Sequence, residues 1–101
     1  ILEKIITHKQ EEVEVQSKII PLDRLKKSQR LYPVRDFKKA LMRDGIQIIA
    51  EIKRQSPSDN DIYSNADPAK VAKLYQANGA AALSVLTDSH FFGGHIDFVQ
   101  L

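Results

Sequence analysis

The run Ile46-Gln47-Ile48-Ile49-Ala50-Glu51-Ile52-Lys53 limits the fold more than any other part of the chain. It is an apolar strand that ends in a carboxylate and an ammonium two residues apart and is then broken by Ser56-Pro57. Strand side chains alternate with period two, so Glu51 and Lys53 share a face with Ile49, while Ile48, Ala50 and Ile52 point to the other face. Both faces are apolar until the carboxyl end, the pattern of a parallel strand covered by helices on each side. In open sheets of that kind ligands bind beyond the carboxyl ends of the strands, where these two charges stand.

The flanking segments supply a helix–strand–helix–strand order. Leu2, Ile5, Ile6 and Val13 recur at a partial helical period over residues 1–18 and predict a first amphipathic helix with an acidic middle at Glu11, Glu12 and Glu14. Pro21 suits a first helical position, and Leu22 and Leu25 predict a second short helix that ends by Tyr32-Pro33. A third helix opens at Arg35 or Asp36, buries Phe37, Ala40 and Leu41, and stops at Gly45. After the first strand, residues 54–66 form a polar loop, long for a strand-to-helix connection and therefore a candidate for function. Asp67-Pro68 then caps a helix that buries Val71, Leu74 and Tyr75 and ends at Asn78-Gly79. Residues 80–87 are the second strand, so strand, helix and strand form a right-handed βαβ unit with a parallel pair. Another helix starts near Ile96, with His95 placed to cap it.

Composition removes several classes of function. The chain has 101 residues, 43% hydrophobic, with no transmembrane run, which predicts a soluble protein with a modest core. Its net charge of +2 is too small to argue for nucleic acid. The distribution is less even: eight of the 15 basic residues lie between Arg24 and Arg43, with Asp36 the one acid there. That local positive face is read as a solvated helix surface or as an anion-binding one. Without cysteine there is neither a disulfide framework nor a thiolate metal site, in keeping with the cytoplasm. The opening Ile-Leu-Glu-Lys-Ile-Ile is too short and too charged for a signal peptide. His90 and His95 are five apart and His8 is remote, so no metal site is expected.

Several motifs in order carry a resemblance: Glu51-Ile-Lys53-Arg54, Ser56-Pro57, Asp67-Pro68, Gly79-Ala-Ala-Ala-Leu83-Ser-Val-Leu86-Thr87-Asp88 and Phe92-Gly93-Gly94. Together they resemble indole-3-glycerol phosphate synthase, the lyase of tryptophan biosynthesis that closes the indole ring. The resemblance covers essentially the whole chain. It implies an α/β fold, the amino-terminal part of a (βα)8 TIM barrel of ~250 residues, of which this chain carries two strands. Residues 1–45 would be the helical extension of that family, and residues 46–101 the first βαβ part and the start of the second barrel helix.

Residue by residue, Glu51 and Lys53 resemble the paired catalytic residues at the end of the first strand. Ser56 and Pro57 resemble substrate contacts just beyond it, and Phe92 resembles the aromatic that packs on the anthranilate ring. The implied substrate is 1-(2-carboxyphenylamino)-1-deoxyribulose 5-phosphate, a small phosphorylated molecule, with loss of carbon dioxide and water after ring closure. No cofactor, metal, nucleic acid or membrane is implied. The family's third-strand lysine, fifth-strand glutamate and phosphate-binding loops have no counterpart in these residues, so the 101-residue chain alone is expected to be inactive. Its open strand edges favour self-association.

The chemistry of the side chains sharpens these roles. An ammonium held charged by Glu51 is a poor proton donor near neutrality, so Lys53 is expected mainly to bind and orient a substrate anion, with proton donation secondary. A bland reading of the pair is an ion pair that plugs the barrel mouth. Ser56 offers a hydroxyl and an amide for an anion, or plain turn chemistry; Phe92 offers a stacking wall, or a core filler, with Phe91 packing outward. Where the family usually continues Ser-Pro-Ser with Lys-Gly, Asp59-Asn60 stand here, an anion in place of a cation in a loop that would face a doubly anionic substrate. The alternative from another class is a small βαβ module that binds phosphate or nucleic acid through the basic helices.

Overall fold

The computed structural model describes residues 1–101, which fall into two compact units, Ile1–Arg35 and Asp36–Leu101. The first unit is helical. Helix α1, Leu2–Ile19, is stabilised along its surface by the Lys9–Glu12 pair and by Lys18 Nζ to Glu14 Oε1 at 3.6 Å, spacings that place opposite charges one turn apart. Helix α2 covers Leu22–Lys27 and ends well short of Tyr32-Pro33. Ser28 ends it: both its amide (3.1 Å) and its hydroxyl (2.6 Å) donate to the Leu25 carbonyl, a local bond that competes with continuation of the helix. No helix is long and apolar enough to cross a membrane.

The second unit runs α3 (Phe37–Leu41), β1 (Ile49–Ile52), α4 (Pro68–Ala77), β2 (Ala82–Val85) and a 3-10 turn, Ile96–Val99. Asp36 opens α3 by accepting from the Lys39 amide at 2.9 Å, and the helix closes at Met42, before Gly45. Gly45 takes φ +86°, a left-handed turn that reverses the chain towards β1. Asp67 Oδ1 accepts from the Ala69 amide at 3.0 Å and Pro68 occupies the first turn, as the Asp-Pro pair implies. Asn78 and Gly79 end α4.

Strands β1 and β2 pair in parallel in the register Ile49↔Ala82, Ala50↔Leu83, Glu51↔Ser84 and Ile52↔Val85, with α4 as the crossover. Bonds from the Ala81 amide to the Ile48 carbonyl (2.9 Å) and from the Leu86 amide to the Ile52 carbonyl (3.2 Å) extend the ladder at each end. Both strands are shorter than expected, and Ile46 is 95% exposed. An apolar run becomes ladder only where a neighbour pairs with it, and β1 has one neighbour, four residues long.

Burial collects at the carboxyl end of β1, where Ile52 is 5% exposed and Ala66 and Pro68 are also buried. The two-sided burial expected of β1 is not met, because Ile48 and Ile49, on opposite faces, are both exposed. Phe37 and Leu74, expected to be buried, are exposed as well, whereas Ala40, Leu41, Val71 and Tyr75 are half-buried. Helical period selects a face, but a second layer must exist for that face to be covered.

Candidate active site

Glu51 lies in β1 and Lys53 one step past its end, so the pleat places both on one face at the carboxyl edge of the parallel pair. Lys53 Nζ is 2.8 Å from Glu51 Oε1, with 35% and 43% of the two side chains exposed. The second oxygen, Glu51 Oε2, accepts from Ser84 Oγ at 3.2 Å across the strand register. From α4, the Tyr75 hydroxyl donates to the Glu51 main-chain carbonyl at 3.2 Å and ties helix to strand at the site residue. Lys53's hydrogen bond holds the Glu51 carboxyl below its ordinary value; partial burial opposes this, and the Ser84 bond and the lysine's charge add to it. Glu51 is therefore an anion throughout the neutral range and acts as an acceptor.

Phe92, in the segment that follows β2, comes to the same place. Lys53 Nζ stands 5.9 Å from the centroid of its ring, within cation–π range. A tight turn after β2 puts it there: the Phe91 amide donates to Asp88 Oδ2 (2.7 Å), the Gly94 amide to the Asp88 carbonyl (2.7 Å) and the Gly93 amide to the Ser89 carbonyl (3.2 Å). Gly94 is required sterically, since a Cβ there would lie 2.0 Å from the Leu86 carbonyl oxygen. Phe91, expected to point outward, is half-buried like Phe92 and meets the His90 ring edge-on, with centroids 4.6 Å apart. His95 Nδ1 accepts from the Asp97 amide at 3.1 Å and caps the 3-10 turn.

Ser56 is only 8% exposed, and its hydroxyl is engaged within the loop. It accepts from the Asp59 amide at 3.1 Å and lies 3.1 Å from Ser58 Oγ, so here it serves turn chemistry. Half-buried Pro57 follows it, and Asp59 and Asn60 are exposed. Arg54 closes the same loop from its base. Its carbonyl accepts from the Ile62 (3.0 Å) and Tyr63 (2.8 Å) amides, its guanidinium donates to the Ser64 carbonyl, and that group lies 5.5 Å from the Phe98 ring centroid.

Glu51, Lys53 and Phe92 thus come together, while Ser56 and Pro57 lie in the loop just beyond. The sequence reading assigned no role to Ser84 or Tyr75. Ser84 carried a signal, a lone hydroxyl in an otherwise apolar strand; Tyr75 read as a plain apolar helix position. A concavity of about 470 Å³ is lined by Ile5, Ile6, Lys9, Gln10, Val13 and Glu14 of α1 alone and contains none of these side chains.

These features define an α/β chain whose parallel pair presents a carboxylate–ammonium ion pair beside a phenylalanine ring at its carboxyl edge. Comparison with known proteins is specific. The family model described as indole-3-glycerol phosphate synthase matches residues 2–101, and the chain belongs to that family. It is 42% identical over 99% of its length to an indole-3-glycerol phosphate synthase of Roseiflexus castenholzii and 45% identical over 99% to one of Desulforamulus reducens. It is 48% identical over its whole length to one of Legionella pneumophila (strain Lens). The chain spans 38–39% of the length of these relatives.

Proposed function

We propose that these residues form the first two strands of an indole-3-glycerol phosphate synthase, a (βα)8 barrel lyase that closes the indole ring of 1-(2-carboxyphenylamino)-1-deoxyribulose 5-phosphate in tryptophan biosynthesis. The family match over residues 2–101 supports the reading, and the observation that carries it is the Glu51–Lys53 pair beside Phe92 at the carboxyl edge of β1 and β2. Barrel enzymes place their chemistry at that edge. The reading is of a cytoplasmic enzyme with no metal or cofactor.

The substrate offers an aromatic ring that carries a carboxylate, and the site offers an ammonium beside an aromatic face. Lys53 receives the carboxylate and Phe92 lies against the ring, so that the ring carbon is held near the ribulose carbonyl it attacks. As the new carbon–carbon bond forms, the carbonyl oxygen takes a proton. Loss of carbon dioxide restores the ring's aromaticity, and loss of the hydroxyl as water completes the indole. Lys53 chiefly anchors the anion, because Glu51 Oε1 at 2.8 Å fixes the position of its ammonium; proton delivery falls mainly to groups supplied by the other strands. Ser56 and Pro57 border the substrate from the first loop. Turnover belongs to the complete barrel, and these 101 residues alone are inactive.

Grafting tests the assignment directly. Residues 1–101 are exchanged for the matching segment of the Legionella pneumophila relative, and formation of indole-3-glycerol phosphate is followed. The reading expects turnover by the folded chimera; a folded chimera with none contradicts it.

A further inference from the structure

Ser84 is the one polar side chain among residues 80–86, at a strand centre where an alanine or valine would pack as well and no ladder bond needs a hydroxyl. Its Oγ nevertheless points at Glu51 Oε2 from the register position directly opposite. The terminal torsion of a glutamate is soft, so the ion pair to Lys53 fixes one oxygen and leaves the plane of the carboxylate free to turn. A second donor on the other oxygen removes that freedom. Lys53 itself hangs on a flexible four-carbon stem, and its ammonium is placed by Glu51 Oε1 at 2.8 Å and the Phe92 ring at 5.9 Å.

We propose that Ser84 is a positioning residue: by holding Glu51 Oε2 it sets the carboxylate plane, and through it the point at which the Lys53 ammonium meets the substrate carboxylate. This rests on the ring-closing reading above. Glu51 is then held at three points: the Tyr75 hydroxyl of α4 at its main chain, Lys53 just past the end of β1 at Oε1, and Ser84 of β2 at Oε2. Ser84's bond also contributes to lowering the Glu51 carboxyl, so its loss shifts that group upward.

The test uses the same chimeric barrel with Ser84→Ala, Ser84→Thr, Glu51→Gln and the double variant Ser84→Ala/Glu51→Gln. Ser84→Ala is expected to lower kcat about five- to tenfold, the range of one lost hydrogen bond, with KM little changed. Ser84→Thr restores most of it, and Ser84→Ala has no further effect once Glu51 is Gln. Carbon-13 titration of the Glu51 carboxyl moves upward in Ser84→Ala, and the nuclear Overhauser contact between the Lys53 ε-methylene and the Phe92 ring weakens. Losses that multiply in the double variant, or an unmoved titration and contact, overturn the role. A folded chimera that is inactive before any substitution defeats the functional reading instead, and the two spectroscopic measurements then decide the Ser84 claim alone.

Discussion

At the scale of single residues, the Glu51–Lys53 pair is too exposed to matter much for stability, because water screens a pair whose side chains are a third or more accessible. Its value lies in orientation. Glu51's carboxyl is depressed in the fold, so its contribution to stability is complete above the ordinary glutamate value of about 4.3 and disappears as pH falls through the lower folded value. Glu51→Gln in the chimeric barrel is therefore expected to reduce turnover at least about tenfold while thermal melting stays nearly unchanged. The acid limb of its kcat/KM profile should lie below the usual carboxylate range and vanish in the variant; a limb that persists would assign that titration elsewhere. This pair was legible in the sequence because charges interrupt an apolar strand at period two. Ser84 and Tyr75 were not, since each meets Glu51 through register and helix docking between distant residues, 33 and 24 positions away.

At the scale of elements, local chemistry is legible in the sequence and extent less so. Asp67-Pro68, Asn78-Gly79 and the His95 cap act through neighbours in sequence, and each falls where expected. Asp67→Ala should destabilise α4 by about 1 kcal/mol, measured by urea denaturation of the chimera. Strand lengths and buried faces depend on partners: β1 is ladder only opposite β2, and Leu74 faces outward at 63% exposure. The turn after β2 rests on a steric condition. Gly94→Ala forces a methyl into the Leu86 carbonyl, and a loss of about 2 kcal/mol or more is expected together with weaker substrate binding, as Phe92 leaves Lys53. A Gly94→Ala protein with normal melting and normal KM would show that the turn does not place the ring.

At the scale of the whole molecule, β1 and β2 form a two-stranded sheet with unpaired outer edges, and Ile46, Ile48, Ile49 and Phe37 are exposed around it. Such edges and apolar faces associate in water. The 101-residue chain is accordingly expected to show concentration-dependent mass by sedimentation; a monomer at all concentrations with a sharp thermal transition would contradict this. Every basic residue between Arg24 and Arg43 is exposed, as on a solvated surface. Binding to DNA or RNA that falls steeply with salt would instead favour the phosphate- or nucleic-acid-binding module. Whether Lys53 anchors the substrate at the carboxyl edge of the parallel pair is decided by steady-state ring closure in the chimeric barrel carrying Lys53→Ala. A fall of at least about 10²-fold in turnover, with the fold intact, is predicted; unchanged kinetics would remove Lys53 from the site.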